Sequence, residues 1–225
     1  MSDEMKNHGS EKKYGQFHRR VFEANIVNFA VWATIAILIG GIVEIVPMFT
    51  PAGTEISPDV TPYTALEVAG RDIYVSEGCY LCHSQWVRPM RAEILRYGPW
   101  SRAWEYQYDR PFQLGSRRIG PDLHRIGGKY PDAWHYEHMR DPRSTTPGSV
   151  MPPYAWLLTN RIDAGDVRAS MVALKKTGTP YTDEDIAGVE ESLAGQGGEI
   201  VGRLREAGIE SEPDRAIIAV IAYLQ

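Results

Sequence analysis

Cys79-Tyr80-Leu81-Cys82-His83 is a C-x-x-C-H run, and it uses both cysteines of the 225-residue chain. That spacing reads as a c-type haem attachment site. Two thiols about one helical turn apart, on the same face, can add to the two vinyl groups of one porphyrin. His83 then lies beneath the ring and offers an imidazole nitrogen to the iron. A zinc site would require a second pair of Cys or His ligands at similar spacing, and none is present. A thioredoxin-like C-x-x-C would require a surrounding βαβ pattern, which is absent. A disulfide between Cys79 and Cys82 is the remaining alternative, and it leaves His83 without a role.

Covalent haem also implies a compartment. Attachment takes place on the outer side of an energy-coupling membrane, where free thiols tend to be oxidised. Upstream, the chain supplies an anchor that suits this address. Residues 24–49 are almost entirely apolar, with Asn25 and Asn28 at the start and Glu44 near the end. About 26 helical residues reach roughly 39 Å, enough to cross a ~30 Å hydrocarbon core with some tilt. The stretch exceeds a signal-peptide core, and Pro47-Met48-Phe49-Thr50 does not resemble a cleavage site. The polar arm 1–23 ends in Lys12, Lys13, His18, Arg19 and Arg20, whereas 50–70 carries no Lys or Arg. The positive-inside rule therefore places the N-terminus in the cytoplasm and the haem motif outside. Glu44 lies about one turn from the outer end, within reach of headgroup water; burial against a partner's helices is the alternative.

Residues 50–62 hold Pro51, Gly53, Pro58 and Pro62 and read as a linker to an exported domain, 63–225. Within it, apolar spacings of three and four predict a helix from Thr64 to Glu77, ended by Gly78. A second helix is expected at the C-terminus, with Ser211 as N-cap and Pro213 in its first turn. The net charge of −5 gives no reason to expect a nucleic-acid partner.

A helix ahead of C-x-x-C-H and another at the chain end resemble the crossing terminal pair of class I cytochromes c. Gly70, Tyr74 and Tyr223 stand where that family has its contact glycine and aromatics. Gly120-Pro121-Asp122-Leu123 resembles the family's G-P-x-L element, whose proline carbonyl accepts the proximal histidine's other N–H. Pro121 would thus support His83. For the sixth iron ligand, Val150-Met151-Pro152-Pro153-Tyr154 is the best candidate, because flanking prolines stiffen the loop that would present the Met151 sulfur. Met90, Met139 and Met171 read as packing residues, and His124, His135 and His138 as hydrogen-bonded or surface residues. His/Met ligation raises the potential and closes the iron to gases, which suits electron transfer.

The segment 86–118 is dense in arginine and aromatic residues, among them Trp86, Arg88, Trp100, Trp104, Arg110 and Arg118. Such residues are enriched at the energetic centres of interfaces, so a permanent partner is expected. A loop wrapping the haem edge, with arginines on the propionates, is the rival reading.

Taken together, the chain resembles the mono-haem subunit (subunit II) of cbb3-type cytochrome c oxidases. The resemblance runs through 36–160. It rests on Gly40-Gly41-Ile42-Val43-Glu44-Ile45-Val46-Pro47, Ala69-Gly70-Arg71-Asp72-Ile73-Tyr74, Glu77-Gly78-Cys79-Tyr80-Leu81-Cys82-His83-Ser84-Gln85, Arg88-Pro89-Met90-Arg91, Arg96-Tyr97-Gly98, Gly120-Pro121-Asp122-Leu123 and Val150-Met151-Pro152. The family usually has histidine where Arg110 stands, and Trp is common where Leu114 stands. The resemblance implies a mostly α chain: one N-terminal transmembrane helix and a class I cytochrome c-like domain with long insertions. It implies an electron-transfer subunit without a catalytic centre of its own, carrying one covalently bound haem c. Its implied partners are a haem–copper catalytic subunit that reduces O2 to water, a di-haem cytochrome c subunit and membrane lipid. It further implies a calcium ion near the catalytic subunit, with Ser116 as a contact. The haem c subunit of a nitric oxide reductase and a haem-based sensor module are the competing readings.

Overall fold

The computed structural model describes residues 19–48, 57–115 and 117–225. The chain divides into two compact units, Met1–Thr54 and Glu55–Gln225. In the first, helix α1 spans Ile26–Met48 and is long and apolar enough to cross a membrane. Asn25 caps it, its side-chain oxygen accepting from the Val27 amide at 3.0 Å. Before it, Arg19–Glu23 forms a short turn of wide pitch, with the Ala24 amide donating to the Arg19 carbonyl at 2.7 Å.

The second unit is helical; among its described residues no strand forms, and Arg161 and Arg215 make an isolated antiparallel bridge. Helix α2, Ala65–Ser76, starts at a capping box in which Thr64 and Glu67 satisfy each other's backbone amides. Gly78 follows the helix in the left-handed region, φ 71°, where a glycine carries no Cβ penalty. Helices α3, Arg91–Tyr97, and α4, Asp132–Arg140, come next. They are followed by α5, Ala164–Lys176, α6, Val189–Glu206, and α7, Ala216–Leu224.

α7 is the centre of the core: from Ala216 to Leu224 every residue except Tyr223 is buried. It crosses α2 at Gly70, where an added Cβ would stand 1.9 Å from the Ala219 carbonyl oxygen. Tyr223 meets the rings of Tyr74 and Tyr63, with centroids 5.4 and 5.8 Å away. The expected terminal pair is therefore present, including its glycine contact and its aromatics. Val167, Met171 and Leu174 of α5 and Val189, Ile200, Val201 and Leu204 of α6 close the same core.

One boundary differs from expectation. Neither Ser211 nor Pro213 opens the last helix, which begins at Ala216 with Arg215 as N-cap. The reason is a cross-chain pairing. The Ala216 amide donates to the Asn160 carbonyl and the Ile162 amide to that of Asp214, both at 2.9 Å. Arg161 holds Glu212 and Asp214 as well. These contacts hold 211–215 in a turn and an isolated bridge where local capping signals favour a helix. At the start of the unit, Ser57 and Val60 are tied to Gln107: its side chain accepts from the Ser57 amide at 3.0 Å and donates to the carbonyls of Ser57 and Val60.

Candidate haem site

Once Gly78 has ended α2, the chain turns tightly over Cys79–Leu81. The amides of Cys82 and His83 both donate to the Cys79 carbonyl, at 3.1 and 2.9 Å. Both cysteines are free thiols, Cys79 half-buried and Cys82 exposed. Burial, then the Glu77 charge, pushes the Cys79 thiol up to about 11, so it stays neutral.

His83 Nδ1 donates to the Pro121 carbonyl at 2.8 Å. With the proton on Nδ1, Nε2 keeps its lone pair for a metal. Burial holds the imidazole below its ordinary pKa, opposed by that hydrogen bond. Gly120 is sterically required: a Cβ there would come within 2.2 Å of the His83 ring. Gly115 is similarly constrained, with φ 65° and a Cβ position 2.6 Å from the His83 carbonyl. Free thiols on one turn, a histidine with a fixed tautomer and a glycine cradle fit a c-type haem.

The Met151 loop is brought to the same end of α2. The Tyr154 amide donates to the Met139 carbonyl at 2.8 Å, and Trp156 Nε1 donates to Glu77 at 3.0 Å. Burial raises the Tyr154 phenol, and the cysteines Cys79 and Cys82 raise it further. Met151 is partly buried against the core, between exposed Val150 and Pro152. Ser116 lies outside the described residues.

Of the three histidines weighed as ligands, His124 is held by both ring nitrogens and His138 by one, while His135 is packed among aromatic rings. His124 uses both ring nitrogens, Nδ1 on the Gln85 carbonyl at 3.1 Å and Nε2 on Glu105 at 2.9 Å. His135 is buried between Trp134 and Tyr130. His138 stacks on Trp134 and places Nδ1 2.6 Å from Thr145.

Part of the arginine-rich segment is paired within the domain, which neither sequence reading anticipated. Arg118 and Arg88 both grip Glu93. Hydrogen bonds from Arg118, and with them those from Arg88, hold the Glu93 carboxyl down to about 2 against the effect of burial. Arg125 takes Glu105 at 2.8 Å, and Arg71, 5% exposed, takes Asp109 at 3.2 Å. Arg102 lies over the Trp100 ring at 3.5 Å. Facing outward are the apolar Trp86, Met90, Ile94, Leu95 and Ile119, beside exposed Arg91, Arg96 and Arg117. Met90 is the N-cap of α3, and Ile94 lies in the helix, its amide donating to the Met90 carbonyl at 3.0 Å.

Asp122 was overlooked as anything more than the variable position of the G-P-x-L element. Its side chain is fully buried and accepts from Ser84, Trp86, Arg118 and His124. The only sequence signal was an acid inside an otherwise apolar tetrapeptide. A family model described as "Cytochrome C oxidase, mono-heme subunit/FixO" matches residues 18–225. No curated protein matches.

Proposed function

The chain belongs to the FixO family of mono-haem cytochrome c oxidase subunits, and from that premise we propose that it relays electrons within a cbb3-type oxidase through one covalently attached haem c. When bound, the haem supplies a one-electron couple. Cys79 and Cys82 would carry the thioether bonds, with His83 and Met151 as axial ligands. Pro121 fixes the His83 tautomer and Gly120 leaves room for the ring. The observation that carries this reading is the His83 Nδ1–Pro121 hydrogen bond, with its glycine cradle, directly after two free thiols.

The direction of flow is toward the haem–copper catalytic subunit that reduces O2, with a di-haem cytochrome c subunit as donor. The exposed apolar face around Met90, Ile94 and Leu95 is the contact we assign to the catalytic subunit. α1 anchors the chain in the inner membrane with its N-terminus in the cytoplasm and 63–225 in the periplasm, as the basic arm favours. The calcium ion implied by the resemblance, with Ser116 as contact, belongs to the same reading.

The test is purification of the full chain from membranes in mild detergent. Haem c should stay with the denatured chain through acid-acetone extraction, and a subunit bearing haem b should copurify. Extractable haem, or a haem c chain isolated without any haem b partner, overturns the proposal.

A further inference from the structure

We propose that Asp122 is a positioning residue for the axial histidine, holding the Pro121 carbonyl where His83 Nδ1 needs it. This rests on the haem reading above. Two backbone bonds, one on each side of His83, join its stretch of chain to the segment carrying Pro121: Gly120 N donates to the Cys82 carbonyl at 3.0 Å and Leu123 N to that of Ser84 at 2.8 Å. The Pro121 carbonyl lies between these two links. Asp122 locks them together from the side. Its Oδ2 accepts from Ser84 Oγ at 2.6 Å, the Trp86 amide at 2.8 Å and Arg118 Nη2 at 3.4 Å, while Oδ1 accepts from the His124 amide at 2.9 Å.

A fully buried carboxylate is costly unless its lone pairs are satisfied, and here four donors satisfy it. Asparagine has one acceptor oxygen, and its amide group would face a donor. The carboxylate therefore sets how firmly the two segments meet, and so how strongly His83 donates. A stronger Nδ1–H donation raises ligand basicity and favours the ferric state. Asp122 thus acts on the potential through His83, without touching the iron.

The experiment compares the haem-loaded full chain with Asp122→Asn, Ser84→Ala and Glu190→Gln, reading solvent exchange of the His83 Nδ1 proton by NMR of the ferric state, together with the reduction potential. Asp122→Asn should speed exchange by about tenfold, the factor one weakened hydrogen bond supplies, and raise the potential. Ser84→Ala, which removes one donor and no charge, should move both in the same direction by less. Glu190→Gln removes a carboxylate that pairs with Arg168 and touches none of the four donors, so it should leave exchange unchanged. If Asp122→Asn does not accumulate, Ser84→Ala decides alone. Unchanged exchange in a haem-bearing Asp122→Asn or Ser84→Ala chain overturns the assignment and leaves the haem reading standing. An unmodified chain without covalent haem overturns both.

Discussion

Gly70 and Ala219 meet backbone to backbone: a Cβ on Gly70 would stand 1.9 Å from the Ala219 carbonyl oxygen and 2.8 Å from Tyr223 Cβ. Because the obstruction is a helix backbone, it cannot rotate aside. Gly70→Ala should force α2 and α7 apart and cost about 3 kcal/mol, at the upper end for overpacking. Chemical denaturation of the haem-loaded protein would measure this. A loss below about 1 kcal/mol would mean the helices separate easily.

Arg71 is a charged residue on the buried face of α2, bonded to Asp109 at 3.2 Å and to the Pro111 carbonyl at 2.7 Å. Asp109→Ala strands that guanidinium and should destabilise by roughly 3–5 kcal/mol. Pairing it with Arg71→Met should recover part of the loss. Additive losses in the double variant would contradict the pairing.

Stability should fall with acid through His135. Burial holds its imidazole down to about 4, Asp132 opposing and His138 assisting. The unfolded chain takes up this proton near pH 6.5 whereas the folded chain waits until about 4. Protons therefore bind the unfolded state preferentially in that window, and stability declines from about pH 6.5 to about 4 by up to roughly 3 kcal/mol. His135 Nε2 is buried without a hydrogen-bond partner. His135→Phe should consequently keep the fold at neutral pH and flatten that slope in denaturation series. An unchanged slope would assign it to other groups.

Met151→Ala should open the iron to carbon monoxide, which the unmodified protein should bind negligibly, and remove the weak far-red band of a ferric iron–sulfur bond. Persistence of that band would transfer the ligand role to another methionine. Of the alternatives, Met139 is buried in the core and Met90 is exposed on α3. Met151→His should instead give a low-spin haem of lower potential, with reduced oxidase turnover.

Met90→Glu combined with Leu95→Glu places two charges on the outward apolar face of α3. The pair should retain haem c and lose most copurifying haem b, because a charge at an interface core is left unpaired. Trp100, by contrast, is covered by Arg102, so Trp100→Ala should affect local packing more than association. Full haem b yield in the Met90/Leu95 variant would move the interface elsewhere.

The sequence alone determined whatever depends on residues near each other along the chain. The apolar span, the helix starting at Thr64 and its stop at Gly78 are local, and each took its expected place. The G-P-x-L element was legible for the same reason, although only the fold shows that Pro121 reaches His83. Tertiary structure decided what rests on distant partners. Arg71 became a buried residue because Asp109 awaited it, and Arg118 turned onto Glu93 and Asp122 as Arg125 did onto Glu105. The last helix started at Ala216 rather than at its local signals because Asn160 and Arg161 had already engaged 211–215. Periodicity and capping report the preferences of one segment; a charge's position depends on which opposite charge the fold delivers, and no local pattern encodes that.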